Sequence, residues 1–451
     1  MPEPTPMALP QREETTSRDR LPGLDGLRAL AACSIVMFHV WRYGAPGGTQ
    51  FELGPLDRLF IHLPLGVTLF FTLSGFLLYR PFAASMIRGE DRPGLGRYYR
   101  NRALRILPAY WAILLFAGIV LGTTYVRVSP YVLETGSLLR QPGSFVRDAF
   151  MIQNYSRESF LTGIGPAWSL AIELVFYAVL PAIAIVGFAI AARSTSRRGR
   201  HLAALGPPLL LLAVGIAGKV LATFVIRGQG PGTPWIGDWH SLLERSFFVQ
   251  ADLFAWGMAL AVLRIEFEDG RVHLTNTIRW LLAGGTILLG AGTILFRETG
   301  SLGLYPYDTL TALACAGLLA IVVLPPHPLA TSERRTAHRD PTLRVLETRG
   351  VVLVGVISYS LFLLHEPLVR WIETHGLTVG GVPGFLLALV TVGAVALGLA
   401  ALTYRFVEKP ALSWRRNVRA ASPDPSAAQA PGGTSIDRSE PEPPAASPRR
   451  R

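Results

Sequence analysis

The chain has 451 residues, of which 50% are hydrophobic and only 16% charged, with a net charge of +12. Soluble proteins carry about a quarter charged residues, so an ordinary soluble globular domain is excluded. The positive balance does not point to nucleic acid, because the apolar runs leave no soluble domain to present such a surface; short membrane loops facing anionic headgroups account for it.

A polar arm over 1–20 opens the chain and is expected to be disordered. No cleavable signal is expected, since the first apolar run is long enough to span a bilayer. Ten apolar runs of roughly twenty residues follow, the length that crosses a hydrocarbon core of about 30 Å. They lie at 25–43, 63–82, 104–122, 166–190, 203–225, 246–264, 279–296, 308–325, 351–372 and 381–404. This predicts an all-α, polytopic membrane bundle over residues 21–412. From Ser413 to Arg451 the chain is rich in Pro, Ala, Ser and Arg and is expected to be a disordered cytoplasmic tail.

Arginine placement predicts the orientation. The connection between the second and third runs holds Arg88, Arg92, Arg97, Arg100, Arg102 and Arg105. Later even-numbered connections hold Arg193, Arg197, Arg198 and Arg200, then Arg264 and Arg271, then Arg334, Arg335, Arg339, Arg344 and Arg349. Cationic short loops stay in the cytoplasm, which places both termini there. The longest outside connection, about 123–165, is long enough to cover an outward cleft. Cys33 and Cys315 fall inside runs and read as packing residues, not as a disulfide or metal pair.

Polar groups inside spans are costly, so they are the functional candidates. Arg28 and His39 in the first run are eleven residues apart, hence on nearly the same helical face and separated by roughly 16 Å. Arg28 also reads as a snorkelling boundary residue and His39 as a structural polar contact. In the fourth run Ser169, Glu173 and Tyr177 follow an i, i+4, i+8 spacing, with Trp168 beside them at the interface. A glutamate there must pair, orient a histidine or move a proton. The ninth run carries Ser358 and His365 on one face and Tyr359 and Glu366 on another, with Pro367 as a helix break. Asp252, with Gln250, is a weaker candidate. Arg102 and Arg105, at i and i+3, can grip one phosphate or simply anchor the helix. Walker loops, dinucleotide fingerprints, HExxH and Gly-x-Ser-x-Gly are all absent from the sequence.

The order of several segments resembles the acyltransferase 3 family of membrane O-acyltransferases. These are Leu24-Asp25-Gly26-Leu27-Arg28 ending in Phe38-His39, Gly66 to Leu77, Arg102-Ala103-Leu104-Arg105 leading to Tyr110-Trp111, Trp168 to Glu173, Ile357 to Pro367, and Val407-Glu408-Lys409-Pro410. The resemblance implies a multi-pass protein of the bacterial plasma membrane that moves an acyl group, often acetyl, from cytoplasmic acyl-CoA. The acceptor would be a hydroxyl of a surface glycan, a lipid-linked sugar or a macrolide. It maps the essential histidine to His39, the first-span arginine to Arg28, the donor-engaging pair to Arg102 and Arg105, and the motif glutamate to Glu173. Trp168, Ser169, Tyr359 and His365 are added as substrate-binding candidates. No bound cofactor, no metal and no nucleic acid are expected; acyl-CoA, the acceptor and membrane lipids are the expected partners. His39 would act as general base or acyl carrier, with Glu173 orienting it or stabilising its charge. A proton-coupled transporter of a sugar or acylated small molecule is the competing class, disfavoured by the lack of internal repeats.

Overall fold

A computed structural model describes residues 21–129, 132–140, 142–157, 159–224, 239–272, 274–299, 305–324 and 341–420. The arm over 1–20, Arg334, Arg335, Arg339 and the tail beyond Ala420 lie outside the described residues. Each predicted apolar run falls within or against a helix. These are α1 (Leu24–Tyr43), α2 (Leu65–Arg88) and α3 (Leu95–Leu115, continued by a wider turn over Phe116–Leu121). A short α4 (Pro142–Ala149) precedes α5 (Trp168–Ala192), α6 (Arg197–Phe224) and α7 (Phe247–Glu268). Then come α8 (Asn276–Thr299), α9 (Tyr305–Val323), α10 (Arg349–Thr374), α11 (Gly381–Thr403) and α12 (Lys409–Ala420).

Among the described residues nine helical segments are long and apolar enough to cross a membrane, and α9 adds a shorter apolar helix at Tyr307–Val323. The molecule is thus a multi-pass helical membrane protein.

The differences from expectation lie at polar ends. α3 begins at Leu95, nine residues before the predicted run, because Arg97, Arg100 and Arg102 hide its first turns from a hydropathy reading. Helix also continues past the expected boundary at 412, through Ala420. α10 runs through Pro367 to Thr374, so that proline is not a break; its ring only removes the amide that would bond to the carbonyl of Leu363. The bundle is helical as expected, with one hairpin outside the spans. β1 (Thr124–Ser129) pairs antiparallel with β2 (Val132–Gly136), Thr124 opposite Gly136 and Tyr125 opposite Thr135.

Local chemistry fixes several ends. Gly89 closes α2 in the left-handed region at φ 75°, donating to the Ser85 carbonyl, a cap that needs glycine. The Ser246 hydroxyl caps α7 by accepting from the Val249 amide, which satisfies an otherwise unpaired donor.

In lipid, helices associate through close packing, not water exclusion, so small residues sit where backbones meet. A methyl group at Gly355 on α10 would collide with the Asp25 carbonyl of α1. The α2–α7 contact uses the same device twice, Gly75 against the Phe254 backbone and Gly257 against Thr72. α1 pairs with α10 in parallel: the contacts Arg28–Ser358 and His39–His365 advance along both helices together. At the other side of the bundle, α6, α7 and α9 are joined by a buried ion pair between Lys219 and Asp252, whose second oxygen accepts from Thr309 at 2.6 Å. Gln250 donates to the Glu244 carbonyl at 2.8 Å. The weak candidates Asp252 and Gln250 therefore have complete structural explanations.

The described residues of the connection over 123–165 form a layer across one end of the bundle. Tyr110 at the end of α3 donates to the Asp148 carbonyl at 2.5 Å, and Trp111 to that of Ala149 at 2.9 Å. Tyr125 and Gly163 exchange backbone hydrogen bonds at 2.9 Å. Beneath this layer the Asp148 carboxyl is completely buried and accepts from the Thr162 hydroxyl at 2.7 Å. Burial pushes its pKa up to about 7, although the Thr162 hydrogen bond and Arg147 oppose the rise.

Candidate active site

One cavity opens between α1, α2, α3, α5 and α10. Its polar wall is built from Arg28, Arg102, Arg105, Ser169, Glu173, Tyr177 and Tyr359. Three guanidinium groups face a single lining carboxylate, so the cavity favours an anionic ligand. Glu173 Oε1 accepts from Ser74 at 2.5 Å and from Tyr177 at 2.7 Å. Arg28 Nε donates to Ser358 at 3.3 Å, and Arg105 lies 4.0 Å from Glu408, itself buried and bonded to Ser360 at 2.6 Å. The Nε of Arg102 is buried with no hydrogen-bond partner among the described residues. Ser169 and Tyr359 donate to the carbonyls of Pro166 and Ile106, at 3.0 and 2.9 Å.

His39 and His365 do not line this cavity; they meet each other instead. His365 Nε2 lies 2.9 Å from His39 Nδ1, with ring centroids 4.9 Å apart. Each Nδ1 also faces the carbonyl four residues back, Ile35 at 3.1 Å and Leu361 at 3.2 Å. A carbonyl only accepts, so both Nδ1 atoms carry the proton in the neutral pair, an assignment made from the acceptors. His365 Nε2 then accepts from His39 Nδ1–H, and the lone pair of His39 Nε2 is left free. His365 is completely buried, whereas His39 is half-buried. The arrangement is an imidazole whose tautomer is fixed by a backbone carbonyl and whose Nδ1–H is shared with a second histidine.

Around the pair stands a frame that connects α10 to the covering layer. The His39 ring stacks on Tyr43 at 5.9 Å, and the Arg370 guanidinium lies 4.0 Å from the Tyr43 ring centre. Arg370 donates to Glu366 at 3.0 Å, and the same carboxylate oxygen accepts from Tyr125 of β1 at 2.7 Å.

The structure thus gathers Arg28, Arg102, Arg105, Ser169, Glu173 and Tyr359 at one cavity and His39 with His365 at a second place. The expectation that Glu173 orients His39 is not met. Glu173 bonds Ser74 and Tyr177, because α5 packs on α2 and α6 while α1 packs on α10. Trp168 belongs to neither place: it packs on the cluster of Tyr125, Phe160, Leu161 and Leu242 beneath the covering layer, 5.2 Å from the Arg245 guanidinium. Arg370 was unmarked in the sequence reading, although its i, i+4 spacing from Glu366 is a signal. Tyr125, 241 positions from Glu366, leaves no local signal.

The chain is similar to the peptidoglycan O-acetyltransferase of Listeria monocytogenes, 26% identical over 411 residues. That alignment covers 89% of this chain and 57% of the relative, so the chain spans less than two thirds of that protein's length. It is also similar to nodulation protein 10 of Rhizobium leguminosarum bv. viciae, 26% identical over 405 residues, with 87% of this chain and 94% of the relative covered. No solved structure matches the chain. The acyltransferase domain of the acyltransferase 3 family matches residues 21–405, from α1 through the turn that follows α11, and the chain belongs to that family.

Proposed function

We propose that this protein is a membrane O-acyltransferase that moves an acyl group, acetyl in the first instance, from cytoplasmic acyl-CoA to a hydroxyl of a carbohydrate-containing acceptor. One observation carries this reading: an arginine-lined cavity ends beside a histidine pair whose half-buried member keeps a free Nε2. The cavity would take the phosphates of the donor on Arg102 and Arg105. Arg28 lies with them and would act in donor binding rather than at the reacting carbon. Glu173 keeps the polar wall in position through Ser74 and Tyr177.

At the far end His39 Nε2 takes the proton of the acceptor hydroxyl as its oxygen bonds to the thioester carbonyl carbon. Collapse of the adduct breaks the carbon–sulfur bond. The departing thiolate receives the proton from the imidazolium, giving free coenzyme A and an ester. His365 stabilises the charged imidazole by accepting from Nδ1–H, which makes it a positioning residue. The same lone pair would serve if His39 carried the acyl group covalently.

In this reading both termini are cytoplasmic, the protein resides in the bacterial plasma membrane, and the covering layer faces outward. The name of the Listeria relative makes a cell-wall glycan the first acceptor to examine. The test is release of free coenzyme A by the purified protein, paired with mass comparison of envelope glycans and metabolites from cells carrying wild type or His39→Ala. Thiol release and a species heavier by one acyl group, both lost in His39→Ala, are expected. Wild-type protein that releases no thiol with any acceptor refutes the reading. Label from radioactive acetyl-CoA that stays on His39 without acceptor distinguishes the acyl carrier from the base.

A further inference from the structure

The arginine cavity and the histidine pair are separated by two aromatic rings. Phe70 from α2 and Phe362 from α10 both line the cavity. They meet edge to face, with centroids 5.8 Å apart and planes at 71°. Phe362 continues the contact to the other side, its ring centre 6.0 Å from that of His365. Neither His39 nor His365 lines the cavity. Any group that travels from the guanidinium cluster to His39 along α10 therefore passes this pair.

We infer that Phe70 and Phe362 form an aromatic septum that sets the size of the acyl group admitted to His39, limiting the donor to short chains. The inference rests on the acyl-CoA reading given above. Apolar side chains, among them Val67, Leu73 and Ile106, line the cavity as well as the polar wall, so hydrophobicity alone does not reject a long chain. Rejection must come from space. Phe362 is buried, while Phe70 is only half-buried; Phe70 is the ring with room to turn, and Phe362 is the fixed wall. The acyl carbons pass the rings ahead of the thioester and need room beyond them, where Phe362 packs on His365. Each further methylene has to displace packed ring atoms, in an interior close-packed enough to feel one methylene. One methylene in an apolar site changes discrimination by about 10- to 200-fold.

The experiment measures kcat/KM for acetyl-, butyryl- and octanoyl-CoA by release of free coenzyme A from the purified full-length protein. Wild type, Phe70→Ala, Phe70→Leu, Phe362→Leu and Phe70→Trp are compared, each as its ratio of octanoyl to acetyl rate. Wild type is expected to favour acetyl by at least about 100-fold over octanoyl. The smaller side chains should raise the ratio about tenfold or more, and Phe70→Trp should lower butyryl use before acetyl use. A general loss of structure would depress all donors together and leave the ratio in place, so an unchanged ratio across the active variants overturns the septum. Equal use of octanoyl and acetyl by wild type overturns it as well. Absence of thiol release from every donor by wild type is a different result, the failure of the acyltransferase reading itself.

Discussion

Replacing His365 by Phe tests the histidine pair most directly. Phenylalanine fills most of the imidazole volume but accepts no hydrogen bond, so His39 Nδ1–H keeps only the Ile35 carbonyl at 3.1 Å. The neutral tautomer survives on that carbonyl, and the loss falls on the charged imidazole formed in the reaction. Hydrogen bonds to charged groups contribute about 1.5–3 kcal/mol, which at about 1.4 kcal/mol per tenfold predicts a fall in kcat of about 10- to 150-fold. His365 is remote from the arginine wall, so the KM for acyl-CoA should be unchanged. The assay is steady-state thiol release from detergent-purified protein, with thermal unfolding as the check on folding. An unchanged kcat, or a change confined to the donor KM, would refute the role given to His365.

Arg102→Ala and Arg105→Ala should act the other way. Each removes charge-assisted contacts worth about 1.5–3 kcal/mol, and the apparent affinity for acyl-CoA should fall about 10- to 150-fold with little change in kcat. An unchanged affinity in the double variant would show that the donor binds elsewhere. Gly355→Ala should lower the unfolding temperature, since overpacking costs about 1–3 kcal/mol where Asp25 and Gly355 backbones touch; an unaltered melting curve would contradict that contact. The raised pKa of Asp148, about 7 against the ordinary 3.8, predicts a pH effect of definite sign. Between about pH 4 and 7 the folded state holds a proton that the unfolded chain has released, so stability falls as pH rises through this window and levels off above it. Asp148→Asn should flatten that profile in a thermal scan, and a slope that persists would assign the effect to other groups.

The membrane spans were readable because lipid demands long uninterrupted apolar helices, and that demand is written into each run separately. The same logic explains the missed first turns of α3, where arginines lie beyond the apolar stretch yet continue the helix. At the site, spacing correctly put Ser169, Glu173 and Tyr177 on one face, and all three line the cavity. What spacing does not encode is which helix each face meets. Glu173 was therefore assigned to His39, when its partners come from α2 and α5 and the partner of His39 comes from α10. The hairpin with Tyr125 escaped notice for a related reason: its value lies in one hydroxyl reaching Glu366 across 241 positions.

The parallel pairing of α1 with α10 has a consequence for biosynthesis. Arg28 and Ser358 are 330 positions apart and His39 and His365 are 326 apart. The first described helix waits for the ninth apolar run before Arg28 or His39 meets its partner on α10. Until then a nascent chain holds His39 without its histidine neighbour and Arg28 without its serine acceptor. The histidine pair is therefore assembled only once α10 has been made and inserted, and a ribosome that stalls before α10 leaves a fragment in which it cannot form.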